Sequence, residues 1–582
     1  MSFLKNLTGT SSDTIPAGDP LVRVSTDIAD GERKSILERK KVAAKWAQSQ
    51  GINIKPENVP TIAVLESGGG LTATLGCLAT LLELKKQNLL DLVTYIHTCS
   101  GSTWCLSLLN DSGNWVEELE TLKDKIIDKL ANLSWGVDQS LLKLLEAANR
   151  ENYSLTDLWA YTFVASALKG VSDSRVSSWS RVHETGAVPY TVCTAVNKPA
   201  VERSNYTNPG IYFEYTAHAC GYINSVSIPT EYMDSKFENG ILVKKEPEPS
   251  VGYNVGLWGS AIGSAKEVIE LVTDIMVRNL MNPKANVVVP LLDTVSGLTG
   301  FLLGADLSRL TSLISDLKNS LAGGKGDEKG ILDQMLSTMS GKKDSTSYQH
   351  INLMKDNWDT SSVQGKENLV TILGAVMAVE SNASTKDLFI VPHAANLLLK
   401  TVACLVKWEW GTTNNIMKGL GGSFSREDTE ASKMYLVDSG LGMNVPFPEA
   451  LRPERMPEVI LSCDFFPLDP MQGPRRAAEY AIANNIPFPP VNIPSDEEMN
   501  PSKGCYAFKG PNGPTILHFP LFNKENSGDL YKVLLVQYIV SRTHYTKGEM
   551  EALMEYASLN IRNHAPEIRD MFIESLNKHK EP

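Results

Sequence analysis

The chain has 582 residues, a net charge of −12, 42% hydrophobic and 21% charged residues, ordinary globular usage that sets aside a disordered or fibrous protein. The acidic balance argues against a dominant nucleic-acid surface, which needs clustered Lys and Arg. The length leaves room for several domains or for one large catalytic body with a sizeable core.

Residues 1 to 30 are polar and punctuated by Gly and Pro, a flexible lead-in; the expected catalytic body runs from 31 to 582. A helix is expected from Gly31 to Gln50 through Ile36, Leu37, Val42 and Trp46, closed by Gly51. Its basic residues Arg33, Lys34, Arg39, Lys40, Lys41 and Lys45 form either a solvated face or a contact for anionic lipid. Pro60 opens an apolar β-rich run, 61 to 65, and the turn Gly68-Gly69-Gly70 leads into a helix from Leu71 to Leu90. A second strand, 92 to 97, ends in a Ser100-Gly101-Ser102 turn before the helical run Thr103 to Leu109. This is a βαβ unit with both glycine-containing turns at one end of a parallel pair. Further strands are expected at 189–196 and 212–216.

From about 260 to 350 the character changes, and a cap insertion over the core is expected from about 260 to 430. Leu303, Leu307, Leu310, Ile314, Leu317 and Leu321 keep helical spacing there, as core packing or as a lipid-facing lid. Tyr435 to Leu441 is a strand that stops at Asp438. The tail carries a capping box, Thr546 with Glu549, and then helical patterning to Ser575.

The eight cysteines are dispersed without a C-x-x-C pair, which suits a reducing, cytoplasmic compartment. No signal peptide, spanning segment or lipidation box is expected.

Ser100 is the candidate nucleophile, because a serine between a buried strand and a helix stands where nucleophile elbows and α/β ligand sites form. Gly68-x-Gly70-x-x-Ala73 has three readings: a dinucleotide fingerprint, a tight structural turn, or an oxyanion hole whose bare amides converge on a tetrahedral intermediate. The dinucleotide reading lacks its acidic residue after the second strand, where His97, Thr98 and Cys99 stand. No histidine sits in a motif that nominates it as base, and His97 reads as a packed strand residue. Asp438 is the better acceptor, since a carboxylate in an apolar setting can take a serine proton; taken alone, its Asp-Ser-Gly reads more often as a turn or helix cap.

Taken together, Ile62 to Leu71, Tyr95 to Trp104, Gly256-Leu-Trp-Gly-Ser-Ala261, Trp410 to Asn415, Val437-Asp-Ser-Gly-Leu441 with Asn444, and Leu451 to Arg455 resemble the catalytic domain of the group IV cytosolic phospholipase A2 family, in the family's order from about residue 20 to 560. The short, C2-lacking members are the nearest in kind. The resemblance implies a patatin-like α/β fold with a mostly parallel central sheet flanked by helices and a cap. It implies a Ser100/Asp438 dyad, an oxyanion hole at Gly69 and Gly70, and possible substrate contacts at Arg455, Thr72 and Asn444. It also implies a phospholipid or lysophospholipid substrate, reversible contact with a membrane surface, and calcium-independent catalysis with no cofactor or metal. Three positions depart from the pattern: Glu66 and Thr98 replace glycines, and Thr72 replaces an arginine that orients the phosphate. The alternative that follows is a homologue that binds lipid without efficient turnover.

Overall fold

The computed structural model describes residues 20–132, 137–260, 307–321, 326–340, 346–359 and 407–581 except 423, 467 and 541, with isolated positions between 343 and 404. The lead-in before residue 20 and the apolar run Leu369 to Val379, apart from Val370, lie outside the described residues. A twelve-stranded mixed sheet runs through the chain. Its strands are β1 (Arg23–Val24), β2 (Ile62–Glu66), β3 (Tyr95–Thr98), β4 (Tyr190–Asn197), β5 (Tyr212–Tyr215), β6 (Ala219–Tyr222) and β7 (Val226–Pro229). The short pair β8 (Lys236–Glu238) and β9 (Ile241–Lys244) forms a separate ribbon, and β10 (Thr412–Asn414), β11 (Lys433–Asp438), β12 (Val459–Asp464), β13 (Tyr506–Phe508) and β14 (Thr515–Pro520) complete the large sheet.

The central strands β4, β3, β2, β12 and β14 are mutually parallel, and the margins are antiparallel. β2, β3 and β12 are buried along their whole length, as strands covered on both faces must be. Parallel alignment puts the turns after β2, β3 and β12 on one edge of the sheet, where open α/β folds place their ligands.

Two helices start at that edge, α2 (Gly70–Lys86) and α3 (Gly101–Asn110), while α1 (Asp30–Ser49) packs against the opposite end of β3. α2 starts one residue before its expected start and ends four short of it. Every residue from Leu71 to Leu84 is buried, because α2 is wedged between α3 and a carboxy-terminal helix; a helix apolar on all sides belongs to a core.

α1 forms as expected, but its buried stripe differs from the apolar one. Glu32, Ser35, Arg39, Ala43, Trp46 and Ala47 face inward, while Leu37 is exposed. Arg39 donates to the carbonyls of Val93 (2.9 Å), Leu90 (2.6 Å) and Gly186 (3.2 Å), which satisfies its buried guanidinium and ties three segments together. It is therefore a structural tie, and Arg33, Lys34, Lys41 and Lys45 remain as the solvated face.

In the expected insertion, Leu310 and Leu317 are buried against Leu332, Met335, Ile351 and Trp358, with Ile314 and Leu321 packed beside them. The described part of that stripe thus packs within a small core of its own, and Leu303 lies outside the described residues. The tail breaks into two helices, Lys547–Asn563 and Ala565–Lys578, at His564, because Pro566 fits only a first turn. The Thr546 capping box is present. Among the described residues no helix is long and apolar enough to cross a membrane.

Candidate active site

β3 ends at Thr98, and two residues later Ser100 caps α3 with φ +50° and ψ −120°. A non-glycine residue in that region is strained by about 1–3 kcal/mol and persists only where its surroundings over-determine it. They do so here. A Cβ on Gly101 would stand 2.0 Å from the carbonyl oxygen of Gly70, and one on Gly68 would stand 2.7 Å from Cβ of Ser100. The Thr74 hydroxyl donates to both the Gly70 and Gly101 carbonyls, at 3.0 and 2.8 Å, and the Ser102 hydroxyl donates to the Ser67 carbonyl at 2.5 Å. The two turns are locked face to face. Replacing Gly101 by alanine is expected to lower the melting temperature by several degrees, through a backbone clash costing about 1–3 kcal/mol; differential scanning calorimetry reads it.

Gly69 caps α2 and Gly70 opens it, with φ +150° and +58°. Amides in a first turn have no intrahelical acceptor and carry the positive end of the helix dipole. Ser100 and Gly70 are partly exposed, whereas Ser67, Gly68, Gly69 and Cys99 are buried, so the serine and the glycine turn are reached from one side only.

Sheet register brings the Asp438 end of β11 to the end of β3. β3 pairs with the first half of β4, Thr98 opposite Cys193, while β11 pairs antiparallel with its second half, Asp438 opposite Ala195. The other side of β4 is occupied by β5 from Cys193 to Val196, so β3 and β11 share one edge of β4 and meet end to end. Their termini lie two β4 residues apart. Asp438 is 1% exposed; its Oδ1 accepts from the Gly440 amide at 2.8 Å and from the Cys99 thiol at 3.7 Å. The Cys99 sulfur in turn accepts from the Ser439 hydroxyl at 3.0 Å. Asn444 bridges to the glycine turn: its Nδ2 donates to the Gly68 carbonyl at 3.3 Å, and its backbone carbonyl accepts from the Gly68 amide at 3.2 Å. Ser100, Gly68 to Gly70, Asp438 and Asn444 therefore form one cluster.

Arg455 lies elsewhere, and Thr72, two residues past Gly70, has its hydroxyl engaged. Arg455, 2% exposed, is held by Glu32 (2.7 and 3.0 Å) and Glu214 (2.5 and 3.1 Å), and its guanidinium sits over the Tyr95 ring at the start of β3, the end away from Ser100. Glu214 is held below the usual carboxylate range, even though burial works the other way, because Arg452 and Arg455 flank it. Reaching a lipid phosphate would break this network. Arg455→Met is expected to lower unfolding free energy by about 3–5 kcal/mol in urea titration, since it strands buried carboxylates. The Thr72 hydroxyl is bonded to the Tyr538 carbonyl (3.1 Å) and the Tyr545 hydroxyl (3.0 Å).

The other departures are absorbed inside the sheet. Thr98 donates to the Val192 carbonyl at 3.2 Å. Glu66 is fully buried with both oxygens unpartnered, and burial pushes its carboxyl well up. His97 is likewise buried without a partner and pushed well down by burial, a packed residue and not a base.

One titratable neighbour escaped the sequence reading. Glu449, buried on the helix Phe447–Ala450, has no side-chain partner and is pushed up to about 8 by burial. Nothing in Pro446-Phe-Pro-Glu449 marks it, because its burial is a tertiary fact. A carboxyl raised in the folded state favours folding fully below the ordinary range near pH 4.5, and that contribution is lost as pH rises through about 8. Glu449→Gln is expected to recover about 2–4 kcal/mol of the alkaline loss, read from melting curves between pH 6 and 9.

Among the described residues, Cys505, His564 and Glu567 bring ligand atoms within 4.8 Å of one another. They join the β13 margin to the tail helices, outside the serine cluster.

Comparison with known proteins supplies the last observations. A lysophospholipase catalytic domain family matches residues 62–289. The chain is 30% identical over 567 residues to cytosolic phospholipase A2 gamma of Mus musculus, covering 92% of this chain and 90% of that one. It is 30% identical over 544 residues to the Homo sapiens gamma protein, covering 92% and 93%. The solved structure of human GIVD cytosolic phospholipase A2 superposes with a TM-score of 0.64 at 18% identity, over 97% of this chain and 67% of that one. At that identity the likeness speaks for the fold. The same protein in complex with methyl gamma-linolenyl fluorophosphonate gives 0.62.

Proposed function

This chain belongs to the cytosolic phospholipase A2 family, and from that premise we propose that it is a serine acylhydrolase of glycerophospholipids or lysophospholipids working through Ser100 and Asp438. The observation that carries the proposal is the strained Ser100 backbone at φ +50°, held against a glycine turn at the point where the Asp438 strand meets β3. Strain of this kind is kept where a side chain must be presented.

In the proposed reaction, Asp438 accepts the Ser100 proton as Oγ attacks the ester carbonyl. The Gly69 and Gly70 amides donate to the developing oxyanion; one such donor is worth about 3–4 kcal/mol of barrier. The glycerol oxygen leaves with the proton returned from Asp438. Water then attacks the acyl-enzyme, losing its proton to Asp438, and the fatty acid departs as Ser100 is reprotonated. Calcium and other metals have no step in this scheme. Asn444, tied to Gly68, holds the glycine turn in register with the nucleophile.

Thr72 bears on the substrate. With its hydroxyl engaged by Tyr538 and Tyr545, the position offers no cation to a phosphate, and since diacyl and lysophospholipids carry the same phosphate, this favours a neutral ester over either. The chain is proposed to act in the cytoplasm on membranes it contacts reversibly. Mass spectrometry of acids released from diacylphosphatidylcholine vesicles, lysophosphatidylcholine micelles and a dispersed monoacylglycerol, with a calcium chelator present, tests the reading. Acid is expected from at least one phospholipid substrate, and faster from the neutral ester. Vesicle binding with no acid released from any of them would favour a lipid binder without turnover.

A further inference from the structure

Large exposed apolar side chains are few among the described residues, and four of them fall within ten positions. Leu530 (54% exposed), Val533 (59%), Val536 (76%) and Ile539 (44%) lie along Gly528–Leu530, the helix Tyr531–Gln537 that continues it, and the turn beyond. The segment is not loosely attached. Tyr531, Leu534 and Tyr538 are buried on its inner side, and the Tyr531 hydroxyl donates to the Met499 carbonyl at 3.0 Å. Met499, itself 53% exposed, extends the patch.

The patch is continuous with the serine cluster. The Val540 carbonyl oxygen stands 2.7 Å from where a Cβ of Gly70 would be, and the Tyr538 carbonyl accepts from Thr72. Gly70 abuts Gly101, the neighbour of Ser100. Leu441, three residues after Asp438, is also exposed. Exposed Lys524 and Lys532 flank the apolar residues together with exposed Glu525 and Asp529, so the rim is polar and balanced in charge, and docking rests on the apolar side chains. Rigid, outward, apolar residues beside a partly open nucleophile form the kind of face that seats in the headgroup and acyl boundary.

We propose that Leu530, Val533, Val536 and Ile539 form the surface on which the protein docks to a lipid bilayer, setting the mouth of the Ser100 site against the membrane. The proposal rests on the acylhydrolase reading for its purpose, but docking is measured separately from turnover. The substitutions Val533→Asn and Val536→Asn replace exposed side chains and leave the inner face intact. In flotation with phosphatidylcholine vesicles the full-length double variant is expected to lose affinity on the order of 100-fold. Its hydrolysis of vesicle substrate falls in parallel, while turnover of a short-chain ester kept monomeric stays within about twofold. Val243→Asn, on the β8–β9 ribbon and 61% exposed in the parent, is the control and binds as the parent does. An environment-sensitive fluorophore on Val536→Cys is expected to shift to the blue when vesicles are added, an observation that needs no loss of function.

Unchanged vesicle binding by the double variant, or no spectral shift at position 536, overturns the proposal. So does a concentration-dependent dimer dissolved by the same substitutions, which would assign the face to a second copy. If the parent hydrolyses neither substrate yet binds vesicles through these residues, the acylhydrolase reading falls and the docking surface stands.

Discussion

Ser100→Ala is expected to lower kcat/KM for ester hydrolysis by about 10⁴-fold or more, the loss typical when a serine nucleophile is removed and only binding and oxyanion stabilisation remain. The fold survives, because no framework contact depends on the hydroxyl: the turn is held by Gly68, Thr74, Gly101 and Ser102. Ser100→Gly sharpens the result. Glycine accepts φ +50° without strain, so this variant is expected to be as inactive as the alanine one and about 1 kcal/mol more stable. Activity and stability moving in opposite directions at one residue is the mark of a position kept for function. Steady-state kinetics on a monomeric ester, paired with urea unfolding, reads both.

Asp438→Asn is expected to cost about 10⁴-fold in kcat with a much smaller change in KM. The amide oxygen still accepts from Gly440, as Oδ1 does at 2.8 Å, and the side chain remains nearly isosteric. Asparagine does not take up the serine proton. The melting temperature is therefore expected to hold while the chemical step fails, and a pre-steady-state burst is expected to disappear with it. A KM effect as large as the kcat effect would instead assign Asp438 to substrate binding.

Much of the local frame was legible. β2, the glycine turn, β3 and Ser100 lie within forty residues in the order of a βαβ unit, and period and turn chemistry place them to within a few positions. The stop of β11 at Asp438 was legible too. What local pattern does not carry is that β3 and β11 share one edge of β4, since register across more than three hundred residues is a property of the assembled sheet. The same limit explains α1. Its buried side holds Glu32 and Arg39, charged residues that periodicity assigns to solvent, because their partners Arg455 and the Leu90 and Val93 carbonyls arrive from distant segments. Arg455 shows the converse: an arginine in a motif looks available for substrate until its carboxylates, Glu32 and Glu214, are located. The outward residues from Leu530 to Ile539 resemble any amphipathic helix in sequence, and only burial of Tyr531, Leu534 and Tyr538 on the opposite side shows which face is open.

The central claim is that one serine, presented by a strained turn and served by one aspartate, carries the reaction. A fluorophosphonate added to the full-length chain, followed by peptide mapping, tests it directly. The account predicts a single label on Ser100, absent in Ser100→Ala and strongly slowed in Asp438→Asn. A label on another residue, or hydrolysis that continues while Ser100 stays unlabelled, would contradict it.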